Sequence, residues 1–200
     1  MKNRSLLRVA LSAVRVALLT AAALLTACAQ SPQRINVAPT LTMTGEMMGN
    51  GQAILVSGAD QRPSKVLGSL GGAYGNSSTL TIGNNLELAL TQAANGLLAA
   101  QGYVVNSPDP SAVHLTIVAE KITYEKLEIP VGNAAKLVAT LRADVTKGGE
   151  TFSGRYTSES ERRSVTRPDA KDNERYINEL LSETLKRMFA DNRLREFLMK

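Results

Sequence analysis

The stretch AKLVATLRADVTKGGETFSGRYTSES, residues 135–160, holds two alternating runs on either side of Gly148-Gly149. A two-residue glycine turn joins antiparallel strands tightly, because both central positions need positive φ. It also fixes the register. Val145 then faces Phe152, Ala143 faces Gly154 and Leu141 faces Tyr156, all on one face, while Lys136 meets Glu161 and Arg142 meets Arg155 on the other. The alternation within each run selects the same apolar face independently, so a long hairpin with one buried side is the nucleus of the predicted fold.

Working backwards, VHLTIVAE alternates Val113, Leu115, Ile117 and Ala119 against His114, Thr116, Val118 and Glu120, a third half-buried strand. Tyr103–Val105 starts extended after Gly102, and Gln52–Gly58 is a short apolar run of the kind that forms a buried strand. Between these, Asn84 and Glu87 have capping-box spacing, followed by Leu86, Leu90, Ala93, Ala94, Leu97 and Leu98 at helical intervals. The glycine-rich segment 68–78 has no Gly-Lys-Ser/Thr or GxGxxG continuation, and reads as a hairpin or loop next to a strand at Thr79–Ile82. Forward of the hairpin, Pro168-Asp169 opens a helix with the stripe Ile177, Leu180, Leu181, Thr184, Leu185, Met188 and Phe189. The expectation is an α+β domain, residues 52–200, with a single antiparallel or mixed β-sheet and two α-helices packed on one face.

The amino-terminal region has a different character. Residues 1–15 carry Lys2, Arg4, Arg8 and Arg15 without an acid, and residues 16–27 carry no charge. This is the pattern of a secretory signal peptide, too short in its apolar part for the ~20 residues of a membrane span. It ends Leu25-Thr26-Ala27-Cys28, and Cys28 is the single cysteine of the chain. That tetrapeptide resembles the lipobox of bacterial lipoprotein precursors, which implies cleavage of residues 1–27 and lipidation of Cys28. No cofactor is expected beyond the covalent diacylglycerol and N-acyl chain on Cys28. Several acyl chains make release from a membrane negligible, since each buried methylene contributes about 0.8 kcal/mol. Ala29, in place of Asp, resembles the signal for outer-membrane sorting in enteric-type bacteria. Residues 28–51 are rich in Gln, Ser, Pro, Thr, Gly and Asn, with small apolar patches at Ile35/Val37 and Leu41/Met43, and read as a flexible tether lying along the domain in places. Fully extended, it would reach about 80 Å.

Charge excludes one class of partner. Of 23 basic residues four lie before Cys28, leaving 19 against 18 acids, and there is no Trp. The basic balance of the whole chain therefore belongs mostly to the signal peptide, and no nucleic-acid partner is expected. One His and one committed Cys make neither a zinc site nor a Cys-His pair, so no metal and no catalytic residue are expected.

Two polar groups stand out. Gly58-Ala59-Asp60-Gln61-Arg62 follows an apolar strand, and Asp60, Gln61 and Arg62 form either an Asx-type turn or a contact loop for a partner. Arg142 across from Arg155 is unfavourable in a ladder. Either Asp144 and solvent relieve the pair or it receives an anionic group, such as a lipid or a peptidoglycan carboxylate. The GADQR segment, together with Gly102-Tyr103-Val104 and the closing Glu196-Phe197-Leu198, resembles the YajG family of Gram-negative lipoproteins. That resemblance implies an anchored, periplasm-facing α+β domain and carries no catalytic residues with it. The expected function is a non-catalytic binding or scaffolding domain, held by its lipid on the periplasmic side of the outer membrane, with an envelope protein or peptidoglycan as partner. The sequence leaves the oligomeric state open. The alternatives are a peptidoglycan-acting enzyme and a lipid- or wall-binding accessory protein.

Overall fold

The computed structural model describes residues 31–42, 47–71, 78–107 and 109–200. Cys28, the signal peptide and most of the glycine-rich segment therefore lie outside the described residues. Strands β6 (Val113–Leu127), β7 (Asn133–Lys147) and β8 (Glu150–Ser164) form a meander of fifteen-residue strands. The β7–β8 register is the one that the Gly-Gly turn dictates, with Lys147 opposite Glu150, Val145 opposite Phe152 and Arg142 opposite Arg155. Gly148 and Gly149 have φ of 56° and 87°, the positive values that a tight hairpin turn requires.

Strand β2 (Ala53–Asp60) runs parallel to β6, and the two-residue β5 (Val104–Val105) runs parallel to β2 on its other edge. The result is a mixed five-stranded sheet in the order β5-β2-β6-β7-β8. A parallel pair needs a crossover, and helix α1 (Leu86–Ala100) lies in the connection from β2 to β5.

The expected single sheet is corrected to two. Strands β1 (Gln33–Ile35), β3 (Val66–Ser69) and β4 (Thr79–Ile82) make a second, three-stranded sheet in the order β1-β4-β3, in which β1 is parallel and β3 antiparallel to β4. The two sheets meet where β3 crosses β6. A Cβ on Gly68 would lie 1.7 Å from the Tyr124 carbonyl oxygen, so only a glycine permits this approach. Alternation reveals that a strand exists without revealing which sheet receives it.

The helix count is corrected from two to three among the described residues. Helix α2 (Ala170–Ala190) starts at the N-cap Asp169, whose carboxylate accepts from the Asp172 amide. Asp191 then adopts an extended ψ of 116° and caps a short α3 (Asn192–Met199) through the Arg193 amide. Helix-favouring residues on both sides hide this break from a propensity reading. All three helices add buried side chains to one core with the inward face of the large sheet, where Leu115, Ile117, Leu137, Leu141, Ile177, Leu181 and Leu185 are fully buried. Each such side chain contributes about 1.5–3 kcal/mol relative to exposure.

The expected tether begins to pack much earlier than residue 52. Ile35 and Val37 are buried, and residues 36–40 run along α2. Three helix side chains spaced one turn apart bind this segment: Glu174 accepts from the Asn36 amide, Asn178 accepts from Ala38 and donates to the Asn36 carbonyl, and Ser182 accepts from Thr40. From the other side, the Asn84 carboxamide accepts from the Val37 amide and donates to the Val37 carbonyl, both at 2.8 Å. It imitates a neighbouring strand. The segment has little signal of its own, and its partners are distant in sequence, Asn84 at 47 residues and the α2 side chains at 138 to 142.

Candidate functional site

Strand β2 ends at Asp60, and the chain turns there because the Asp60 carboxylate accepts from the Arg62 amide at 3.2 Å. The same carboxylate binds the Arg62 guanidinium in a fork, Nε to Oδ1 at 2.8 Å and Nη2 to Oδ2 at 2.9 Å. Lys65 Nζ reaches Oδ2 at 2.6 Å from the solvent side. Both side chains of the fork are buried, 7 % exposed for Asp60 and 3 % for Arg62. The hydrogen bond from Arg62 holds the Asp60 carboxyl far below the usual carboxylate range, against the opposing effect of burial, with Lys65 adding to it.

Glu87 has a different role from the one its spacing suggests. The N-cap of α1 is Asn85, whose side chain accepts from the Leu88 amide, while Asn84 is committed to Val37. Glu87 turns away from the cap and accepts from the Asp60 amide at 3.2 Å. Between the end of β2 and the start of α1 lies an open cleft of about 310 Å³, lined by Asp60, Arg62, Lys65, Asn84, Asn85 and Glu87 among others. Its acids and bases are largely spent on each other.

Gln61 is the exposed member of the triplet. Its amide donates to the Ala119 carbonyl at 3.0 Å, and its side-chain oxygen accepts from Arg142 Nη2 at 3.2 Å. The two groups singled out in the sequence are thus neighbours. Glu120 holds the second group together. The β6–β7 ladder skips a residue between Ala119 and Lys121, a β-bulge that leaves Glu120 unpaired along the backbone. Its carboxylate binds Arg142 Nε at 2.8 Å and Arg155 Nε at 2.6 Å, and Asp144 binds Arg142 from the far side at 2.6 Å. The Arg142–Arg155 opposition is therefore relieved mainly by Glu120, with Asp144 second. Glu120 is held below its usual carboxylate range, first by Arg155 and then, beyond the cost of burial, by Arg142.

This cluster lies on the outward face of the large sheet. Hydroxyl pairs order that face, with Ser57 bonded to Thr116 and Thr140 to Thr157, each at 3.0 Å, and Ser153 bonded to Asp144 at 2.8 Å. Leu55 contributes an exposed apolar side chain at its β2 side. His114 is exposed on the same face. Among the described residues no group of His, Cys, Asp or Glu could hold a metal ion. Asp60, which lines the cleft, and Glu120, at the bulge, are both fixed as anions by guanidinium partners. A general acid needs the opposite shift.

A family model for an uncharacterised lipoprotein matches residues 39–199. Over 188 residues the chain is 26% identical to the uncharacterised lipoprotein YajG of Escherichia coli (strain K12), an alignment that covers 90% of this chain and 93% of the relative. Among solved structures, the crystal structure of an uncharacterised protein superposes with a TM-score of 0.51 at 10% identity, over 84% of this chain and 99% of the other, which shows a shared fold. A neuraminyllactose-binding hemagglutinin homolog from Helicobacter pylori gives a TM-score of 0.49 at 9% identity, over 79% of this chain and 96% of its own.

Proposed function

Because the chain belongs to a family of uncharacterised lipoproteins, we propose that Cys28 carries the lipid of an outer-membrane lipoprotein whose periplasmic domain binds or scaffolds another envelope protein without performing a reaction. The observation that carries the binding reading is the uncovered outward sheet face. Helices cover the inward face, whereas the outward face presents a fixed array of hydroxyls and neutralised charges beside Leu55 and Gln61. A preordered polar surface loses little side-chain entropy when a partner docks.

Asp60 and Arg62 support this surface from below, and Gln61 and Arg155 are the side chains a partner would meet. Arg155 remains 65 % exposed despite its bonds to Glu120. That exposure also favours a second reading, in which Arg155 takes a peptidoglycan carboxylate and the domain is a wall-binding accessory.

A photo-crosslinking residue placed at Thr157 in intact cells tests both, in a background of unaltered side chains and of Gln61→Ala/Arg155→Ala, each checked for lipidation and folding. The expected result is one envelope protein captured by the first and lost from the second. Capture of wall fragments alone would replace this reading with the peptidoglycan one, and equal capture in both backgrounds would place the contact elsewhere.

A further inference from the structure

The start of the described chain limits how the domain can sit. Ser31 is three residues after Cys28, and three residues span at most about 11 Å however the intervening chain runs. The headgroup layer is itself roughly 5–8 Å thick on each side of the hydrocarbon. If Cys28 is acylated, as proposed above, the end of the domain at Ser31 has no room to stand away from the bilayer. The expected 80 Å of slack does not exist, because the chain is already bonded into the fold at Ser31, whose carbonyl accepts from Ser78, and at β1.

The same end carries the two most exposed large apolar side chains among the described residues, Val131 at 86 % and Val165 at 91 %. Contacts connect them to Ser31. Ser31 shares a cleft with Arg34, Arg167 and Pro168, and Arg167 bonds the Leu70 carbonyl. Val165 is two residues from Arg167, and its carbonyl lies 3.5 Å from the Asn133 side chain, two residues from Val131. An exposed valine in water is ordinary. Two at the tip of a sheet, beside the point where a lipidated chain emerges, are placed where apolar side chains gain from contact with lipid. Arg34 is exposed in the same rim, and Glu128 there is paired with Lys126.

We propose that the tip formed by the β6–β7 turn and the end of β8 is a membrane-contact surface, with Val131 and Val165 seated in the lipid interface and the long strands rising away from the bilayer. The proposal rests on the acylation of Cys28. It assigns the opposite end, about 45 Å away along β6, to the periplasm.

The test uses the full lipidated protein in vesicles of phosphatidylethanolamine and phosphatidylglycerol, with an environment-sensitive fluorophore on Val131→Cys, Val165→Cys or, at the opposite end, Val104→Cys. These three side chains are exposed, so the fold tolerates the label. Lipids brominated at shallow acyl carbons should quench the first two roughly twofold and leave the third unchanged. Mass spectrometry of the Cys28 peptide and vesicle flotation are read on the same samples. Acylated, floating protein with no quenching at either valine overturns the contact surface and leaves the anchor standing. A Cys28 peptide without acyl mass overturns the anchor, and this orientation with it.

Discussion

Asp60 and Arg62 form a buried, two-bonded ion pair that closes the end of β2 and sits beneath the exposed Gln61. Breaking a buried pair leaves an uncompensated charge, which typically costs about 3–5 kcal/mol, whereas replacing both partners with neutral groups costs much less. Arg62→Met and Asp60→Asn should each destabilise strongly in urea titrations, and the double variant should recover part of the loss.

The same pair sets an acid limb. Asp60 and Glu120 both have folded-state pKa values depressed by guanidinium partners. Groups of this kind contribute stability above their unfolded values, about 4, and the contribution is lost as pH falls through the folded value. Unfolding midpoints should therefore fall from pH 5 downwards, and the gap between the wild-type protein and Asp60→Asn should narrow over that range. A constant gap would show that the pair's charge is not what stabilises the turn.

Two glycines should respond in opposite directions. Gly68→Ala forces a Cβ against the Tyr124 backbone, where no side-chain adjustment helps, and should cost more than about 3 kcal/mol and separate the small sheet from the large one. Gly96 lies exposed within α1 with open space around it, so Gly96→Ala should stabilise by about 0.5–1 kcal/mol. Thermal melts of the two variants check both signs.

Asn178 holds residues 36–38 with two hydrogen bonds. Each is worth about 0.5–1.5 kcal/mol, so Asn178→Ala should cost about 1–3 kcal/mol. Amide exchange at Ala38 should accelerate far more than exchange in β7. Uniform acceleration across the molecule would mean that the segment unfolds only with the whole domain.

The hairpin was legible because a Gly-Gly turn and period-two alternation give one register, and the observed pairs from Lys147–Glu150 to Asn133–Ser164 follow it. The stripe of α2 was legible for the same reason of sustained period. Glu120 was missed although a signal existed. Apart from Val118, which is buried on the outward face, buried positions in β6 run 113, 115, 117 and 119, then shift to 122 and 124, and a change of phase within one strand marks a bulge. The roles of Asn84 and Glu87 were not legible, since a local capping motif lost both of its side chains to distant partners, Val37 and Asp60. Gln61 and Arg142 are eighty-one residues apart, and nothing in either neighbourhood announces their meeting.

The segment of residues 36–40 is bound by side chains of α2, nearly 140 residues downstream. A chain that emerges amino-terminus first from a ribosome presents this segment about 140 residues before its holder. The meander of β6, β7 and β8 can assemble from neighbouring sequence in the interval, but the amino-terminal strap cannot fasten until Ser182 has emerged. Docking of this segment against the helix therefore has to wait for α2, and a chain truncated before α2 would lack the three side chains that hold residues 36–40 on that side, however well its hairpin forms.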